Sequence, residues 1–147
     1  MNKDRLRAEI ERDEGRVSEV YKCTMGVSTF GVGHAIKKTD PEWGFVIGTK
    51  IDDSRIDQAF EEDIDMTLNE CCRLYPDFYD LPEEVQLIIA NMMFNLGSTR
   101  LAKFKGMKAA VDAKDWDRAA DEMVDSRWYG QVGNRSKRLV ARMRAVS

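Results

Sequence analysis

The sequence has little of the residues that build metal sites or disulfide frameworks. Its 147 residues include one histidine and three cysteines, and two of the cysteines, Cys71 and Cys72, are adjacent. An odd, low cysteine count predicts free thiols, and adjacent positions do not suit ordinary disulfide geometry. With one histidine and no C-x-x-C pair, the sequence argues against a zinc site. We expect neither a metal nor a cofactor.

Long apolar runs are also missing. No window approaches the roughly eighteen apolar residues that a membrane-spanning helix needs, and one third of the residues are charged. The segment MNKDRLRAEIERDEG carries charges from Lys3 onward and lacks the apolar stretch of a secretory signal. We therefore expect one soluble domain that accumulates in a cytoplasm.

Acidic residues are absent from the last part of the chain. From Ser126 onward there are six basic residues and no acidic one, whereas the whole chain carries a net charge of −3. This pattern fits a solvated basic helix, or a surface that attracts a polyanion such as nucleic acid, a wall polymer or an anionic membrane. Charge alone does not choose between them.

The spacing of apolar residues predicts a mostly helical α+β protein. The first predicted elements are a short helix from Asp4 to Arg12 and a hairpin from Val17 to Ile36, with its turn near Thr24 to Gly26. A further short strand from Phe45 to Ile47 and a long helix from Asp53 to Tyr75 follow. A buried helix then ends at Gly97, and helices follow over about 99–112, 115–124 (capped by Asp115), 126–131 and 134–145 (capped by Asn134).

Glu14 is the first candidate for chemistry. It lies at the end of the first predicted helix, four residues after Ile10 and next to Gly15. An apolar neighbourhood and the negative end of a helix dipole both favour the protonated form of a carboxyl group. Such a group is the usual proton donor to a glycosidic oxygen. From position alone, a surface glutamate at a helix end is the commoner interpretation.

The surroundings of Glu14 resemble a known catalytic hairpin. Eight residues separate Glu14 from Cys23, and five separate Cys23 from Thr29, within DEGRVSEVYKCTMGVSTFGVGH. This arrangement resembles the phage-type lysozymes, the endolysin muramidases of glycoside hydrolase family 24. The segments FEEDID, NMMFNLG and SRWYGQVGNRSKR resemble the same family in the same order.

The resemblance implies a lysozyme-like fold in a single domain, 1–147. It implies a β-containing lobe of about 13–55 and a helical lobe of about 56–147 plus the N-terminal helix, joined by the long helix. The implied activity is hydrolysis of the β-1,4 bond between N-acetylmuramic acid and N-acetylglucosamine in bacterial peptidoglycan. The implied setting is a monomer in the host cytoplasm, released to the wall by a separate holin to lyse the cell, with no nucleic-acid partner.

The resemblance also implies roles for individual residues. Glu14 is the proton donor, and Cys23 and Thr29 hold a water against the far face of the sugar. Most members have aspartate where this chain has Cys23. A thiol can replace it as a base or electrostatic stabiliser only if its pKa is lowered; direct attack by Cys23 on the sugar is the alternative. Arg135 and Phe94 match substrate-binding positions. At three further sugar-contacting positions, this chain has Ala35, Met107 and Glu122 in place of the usual leucine, serine and asparagine.

Two other functions stay open at this point. A cysteine amidase or peptidase acting on peptidoglycan would use Cys23 with His34, which would make His34 indispensable. A non-catalytic wall-binding or nucleic-acid-binding protein would use the basic C-terminal helices. We expect His34 to be structural and paired with an acid such as Asp63, and Trp128 to be a core aromatic.

Overall fold

The computed structural model describes all 147 residues and shows eight α-helices with one small antiparallel sheet. The α+β class predicted from the sequence is confirmed. The helices are α1 Lys3–Glu14, α2 Asp53–Leu74, α3 Glu83–Leu96, α4 Ser98–Leu101, α5 Lys105–Asp112, α6 Trp116–Val124, α7 Arg127–Gln131 and α8 Asn134–Arg144, with a 3-10 helix at Phe78–Asp80. The strands are β1 Val17–Lys22, β2 Ser28–Gly31 and β3 His34–Ala35. None of these helices combines the length and apolar character needed to span a membrane.

Contacts along the chain define two compact units. We call Asp4–Met66 the hairpin unit, and Met1–Lys3 together with Thr67–Ser147 the helical unit. The division falls inside α2, so this helix supplies residues to both units.

The sheet of the hairpin unit has the order β1-β2-β3. Lys22 pairs with Ser28 across the first two strands, and the Gly26 N–H donates to the Cys23 carbonyl at 2.9 Å to close the turn between them. Gly26 has φ = 77°, which glycine adopts without the steric cost of a Cβ atom. The turn is therefore where the sequence predicts it.

The strand predicted at Phe45 to Ile47 does not form. The segment is a series of turns, and its three apolar side chains are exposed. Gly44 and Gly48, with φ of 89° and 92°, bend the chain on either side. Pairing with β1 begins only afterwards, where the Val20 N–H donates to the Thr49 carbonyl at 2.9 Å.

The buried helix predicted before Gly97 is confirmed. Most of α3 is inaccessible to solvent, with Val85, Ile88 and Ile89 at 0% exposure. Gly97 ends the helix with φ = 79°, and its N–H donates to the Met93 carbonyl at 2.8 Å. Helix α3 thus forms the centre of the helical unit.

The prediction of one helix over 99–112 is wrong, because the structure has two helices there, α4 and α5. The chain leaves helical geometry at Phe104, where ψ is 63°. The Phe104 ring then packs edge-on against Trp128, with ring centroids 6.3 Å apart. Burial of aromatic surface therefore outweighs the local preference for one continuous helix.

Of the two predicted helix caps, one is confirmed. The Asp115 side chain accepts a hydrogen bond from the Arg118 N–H at 3.2 Å and caps α6. The cap of α8 is Gly133 rather than Asn134, which is the first helical residue. The preference of asparagine for the cap position therefore misassigns the cap by one residue, although the predicted range begins at the observed first residue of the helix.

Candidate functional site

Glu14 is the last residue of α1 and is half-buried. Leu6 and Ile10, on the apolar face of α1, have 0% exposure and fix the orientation of the helix. A Cβ atom placed on Gly33 would lie 2.8 Å from Glu14 Oε1, and Gly33 has φ = 62°. The Glu14 carboxyl group therefore rests against bare backbone. This role of Gly33 was not predicted from the sequence, although the residue lies within the GVGH run.

Cys23 follows β1 and begins the hairpin turn. Hydrogen bonds from the backbone N–H groups of Val27 and then Met25 are the main causes that lower the pKa of the Cys23 thiol. Donors that face a thiol stabilise its thiolate form. The backbone of the turn therefore favours the thiolate form of Cys23, in the direction that a role as base or stabiliser requires.

Thr29 is buried in β2, opposite Tyr21 on β1. Its hydroxyl donates to the Val27 carbonyl at 2.9 Å. A hydroxyl has one proton and two lone pairs, so Thr29 can still accept a hydrogen bond, for example from a water.

Tyr21 lies near both Glu14 and Cys23, and no role was predicted for it from the sequence. Burial raises the pKa of the Tyr21 hydroxyl, and the nearby negative charges of Glu14 and Cys23 raise it further. Both groups therefore lie within electrostatic range of the phenol. The hairpin unit thus brings Glu14, Cys23 and Thr29 together around one strand pair.

Phe94 and Arg135 belong to the helical unit. Arg135, in the first turn of α8, donates from Nε to Asn91 Oδ1 at 2.8 Å and from Nη2 to the Asn91 carbonyl at 3.4 Å. Asn91 is buried in α3 at 1% exposure, and the half-buried Phe94 lies three residues further along the same helix. Residues at that spacing are neighbours on a helix face. Asn91, which the sequence did not reveal, therefore fixes Arg135 on the side of α3 that carries Phe94.

The three other family positions differ in exposure. Ala35 is exposed at the end of β3, whereas Met107 is 1% exposed in α5 and packs in the core. Glu122 is half-buried on α6, and its carboxylate lies directly against the backbone of Gly106. The Met107 side chain is thus unavailable to a sugar, while Ala35 and Glu122 are accessible.

His34 pairs with Asp63, as predicted, and also with Asp40, which we did not predict. Its Nδ1 lies 2.7 Å from Asp63 Oδ2, and its Nε2 lies 2.8 Å from Asp40 Oδ2. Burial acts to lower the pKa of His34, but the hydrogen bonds to Asp63 and Asp40 outweigh it and raise that pKa. Both ring nitrogens are therefore occupied, and neither is free to activate Cys23.

The histidine belongs to a larger buried charge network. Arg55 donates from Nε and Nη2 to the two carboxylate oxygens of Glu42, both at 2.9 Å, and Glu42 is only 5% exposed. Arg55 Nη2 also lies 3.5 Å from Asp40 Oδ1. The network links β3, the following loop and the start of α2. It holds the loop that follows the hairpin.

All three cysteines are free thiols, as expected. Cys71 is buried and Cys72 is half-buried on α2. No group of three or more histidine, cysteine, aspartate or glutamate side chains is placed to hold a metal ion.

Comparisons with known proteins indicate the family to which the chain belongs. The chain is 29% identical to Probable T4-type lysozyme 2 of Dictyostelium discoideum, over 92% of this chain and 91% of that protein. It is 28% identical to Probable T4-type lysozyme 1 of the same organism, over 90% of this chain and 89% of that protein. It is also 28% identical to the pre-baseplate central spike protein of Enterobacteria phage T4, over 88% of this chain but 26% of that protein. A family model described as Phage lysozyme matches residues 11–145. The chain therefore belongs to the phage lysozyme family and is a cell-wall hydrolase of the lysozyme type.

Proposed function

We propose that this protein is a muramidase that hydrolyses the β-1,4 bond between N-acetylmuramic acid and N-acetylglucosamine in bacterial peptidoglycan. The observation that carries the proposal is the turn at Cys23. Its backbone N–H groups lower the pKa of a thiol that follows Glu14 at the family's catalytic spacing. A proton donor and a water-holding anion on one small scaffold are what hydrolysis of a glycosidic bond requires.

In the proposed reaction, Glu14 gives its proton to the glycosidic oxygen as the bond from that oxygen to the anomeric carbon breaks. The electron pair of this bond stays on the oxygen. A water held by Cys23 and Thr29 attacks the anomeric carbon from the opposite face and passes its proton to the Cys23 thiolate. Attack from the opposite face inverts the configuration, so the first product is the α-anomer.

Arg135 and Phe94 bind the substrate in this proposal. The hydrogen bonds to Asn91 immobilise the Arg135 guanidinium group, so less conformational entropy is lost when it binds a sugar or peptide oxygen. The half-buried Phe94 offers a ring surface for packing against a sugar.

We also propose a biological setting for this activity. The protein acts as a monomeric endolysin that accumulates in the host cytoplasm and reaches peptidoglycan after a holin permeabilises the membrane. The family description supports a phage setting. The amidase alternative is disfavoured because carboxylates occupy both nitrogens of His34.

Replacement of Glu14 by glutamine tests the proposal. The amide has no proton to donate to the glycosidic oxygen, so activity on purified peptidoglycan should fall by a factor of about 100 or more. The far-UV circular dichroism and melting temperature should stay close to those of the wild type. Wild-type digests should show new reducing ends without new free amines, and NMR should show the α-anomer first.

Three results would contradict the proposal. Glu14→Gln that is folded and keeps more than about a tenth of the activity would remove Glu14 as the general acid. New free amines in the wild-type digest would indicate an amidase. A β-anomer with a sugar adduct on Cys23 would indicate a nucleophilic thiol instead of an inverting reaction.

A further inference from the structure

A second site lies in the helical unit, in a pocket of about 340 Å³. Three basic residues, Arg100, Lys103 and Arg127, line it together with Phe104, Trp128 and Gln131. No residue assigned to hydrolysis lines this pocket. Its volume is within the range of roughly 300–1,000 Å³ that is typical of small-molecule sites.

The three basic side chains of this pocket have no partner within the protein. Arg100, Lys103 and Arg127 are exposed, and none makes an ion pair or a side-chain hydrogen bond. Arg7 and Arg55, by contrast, each bind a carboxylate through two nitrogens. Three like charges around one pocket repel one another, and an anion would relieve this repulsion.

The floor of the pocket is aromatic. Phe104 is half-buried, and Trp128 is 3% exposed, so the rings lie beneath the basic rim. The indole is fixed because its Nε1–H donates to Asn95 Oδ1 at 2.9 Å. Rigid ring surfaces of this kind pack against the apolar C–H groups of a ligand.

Acidic residues are confined to one side of the site. No acidic residue lines this pocket, but Glu122 and Asp125 line a neighbouring pocket of about 190 Å³ that shares Lys103 and Phe104. Carboxylates accept hydrogen bonds from hydroxyl groups and repel anions. The combined surface thus suits a ligand with an anionic end and a hydroxyl-rich end.

We propose that this surface binds a phosphorylated saccharide. The phosphate lies among Arg100, Lys103 and Arg127, the sugar ring packs on Phe104, and sugar hydroxyls donate to Asp125 of the neighbouring pocket. A phosphate monoester carries close to two negative charges at neutral pH and three acceptor oxygens, which suits three basic groups. Such a site would hold the enzyme on phosphate-bearing material of the bacterial envelope, and it does not depend on Glu14 as the general acid.

Binding of N-acetylglucosamine 6-phosphate to the full chain, measured by calorimetry, tests the site. The pocket variant Arg100→Gln, Lys103→Gln and Arg127→Gln removes the three charges. The matched control, Arg73→Gln, Arg118→Gln and Lys137→Gln, removes two arginines and one lysine that are exposed, unpaired and outside the pocket. We expect the pocket variant to bind at least about tenfold more weakly than wild type and the control to stay within about twofold.

Comparison ligands define the chemistry. N-acetylglucosamine and inorganic phosphate should each bind at least about tenfold more weakly than the sugar phosphate, because each lacks one half of the ligand. Equal losses in both triple variants would reduce the effect to net charge and overturn the site. Inorganic phosphate binding as tightly as the sugar phosphate would overturn the saccharide assignment, and no measurable binding would overturn the proposal.

Sedimentation with purified wall or with lipid vesicles distinguishes whether the bound phosphate belongs to a wall polymer or to a lipid-linked sugar. The Glu14→Gln protein is used because it should leave the wall undigested. Retention on purified wall that is lost after hydrofluoric acid removes its phosphate would identify a wall polymer. Retention on vesicles containing a phosphorylated glycolipid, but not on phospholipid vesicles alone, would identify a lipid-linked sugar. Either result supports the proposal when the pocket variant loses the retention. Equal retention of both triple variants on every material would overturn it.

Discussion

Cys23 shows how a turn of backbone can supply what a side chain lacks. A free thiol at neutral pH is mostly protonated and is a weak hydrogen-bond acceptor. Here the N–H groups of Val27 and Met25 face the sulfur and lower its pKa, as donors do at anion-binding turns. The residue type alone suggests a weakened site, whereas its surroundings favour the thiolate form over the thiol.

Cys23→Asp should therefore retain substantial activity, whereas Cys23→Ala should lose about tenfold to a thousandfold in kcat. A base must be deprotonated to act, so the activity of the wild type should fall as the pH falls through the lowered pKa of Cys23. The pH profile of kcat/KM should show this limb at a lower pH in Cys23→Asp, because carboxyl groups titrate below thiols. An inactive Cys23→Asp beside an active Cys23→Ala would show that position 23 does not orient the water.

Thiol reagents give an independent measurement on the same residue, but they need a control at Cys72. Cys72 is half-buried, so a reagent can reach it as well as Cys23. In a Cys72→Ser background, alkylation should still inhibit the enzyme, and Cys23→Asp in that background should be resistant. If Cys72→Ser alone abolishes inhibition by the alkylating reagent, the thiol responsible for inhibition is Cys72 on α2 and not Cys23.

Gly33 positions the acid by having no side chain. Gly33→Ala would put Cβ 2.8 Å from Glu14 Oε1 at φ = 62°. We expect a loss of about 1–2 kcal/mol in the free energy of unfolding from the left-handed backbone, and a loss of kcat because the carboxyl must move. Gly44→Ala is the matched control, since Gly44 has φ = 89° and nothing within 4 Å. It should lose similar stability but keep its kcat; equal kcat in both folded variants would contradict a positioning role.

At the scale of elements, the His34 network links the end of the sheet to α2. Asp40 and Asp63 raise the pKa of His34 in the folded protein. A raised folded pKa stabilises the protein most at pH values below the ordinary value of about 6.5, and this contribution disappears as the pH rises through the raised value. The charged histidine thus stabilises the hairpin unit most at pH values below about 6.5.

His34→Gln should lower the free energy of unfolding by several kcal/mol at pH 6, on the order of the cost of breaking a buried ion pair. Its unfolding free energy should also decline less between pH 6 and pH 9 than that of the wild type. Urea denaturation at both pH values measures this difference. At permissive temperature, activity of the folded variant should persist; a well-folded but inactive His34→Gln would favour the amidase alternative.

Helices and strands that are indicated by neighbouring residues in the sequence could be predicted. Those whose bounds depend on contacts with distant residues could not. Helix α3 is apolar almost all round and ends at a glycine, so its burial and its end are evident from the sequence. No proline or glycine lies between Leu101 and Lys105, yet the helix is interrupted at Phe104, whose ring packs against Trp128. The apolar run Phe45 to Ile47 has the composition of a strand but remains exposed in turns.

The same distinction applies to the candidate site. The spacing of Glu14, Cys23 and Thr29 is contained in one hairpin, so a linear pattern could reveal it. The groups that hold the predicted residues come from farther along the chain, such as Asn91, which binds Arg135 across 44 positions. Contacts of this separation leave no periodic trace in the sequence.

At the scale of the whole molecule, charge is divided between the two units. The hairpin unit has nine basic and fifteen acidic residues, a net charge of −6, whereas the helical unit has fourteen and eleven, a net charge of +3. The basic C-terminal end is partly neutralised, since Arg142 binds Glu84 and Arg144 binds Asp121 at 3.0 Å. The free positive charge of the helical unit therefore includes Arg100, Lys103 and Arg127 rather than the last helix alone.

This division predicts the sign of the salt effect on hydrolysis of an anionic wall. If the net charge of −3 governed the approach to the wall, added salt would screen repulsion and raise the rate. If the basic surface of the helical unit governs it, salt screens attraction, and the initial rate on purified peptidoglycan should fall several-fold between about 20 and about 300 mM NaCl. We expect the fall, with little change on a neutral chitin oligosaccharide. The pocket variant and its matched control should both show a weaker dependence, because long-range attraction depends on total charge; a rate that rises with salt would contradict the prediction.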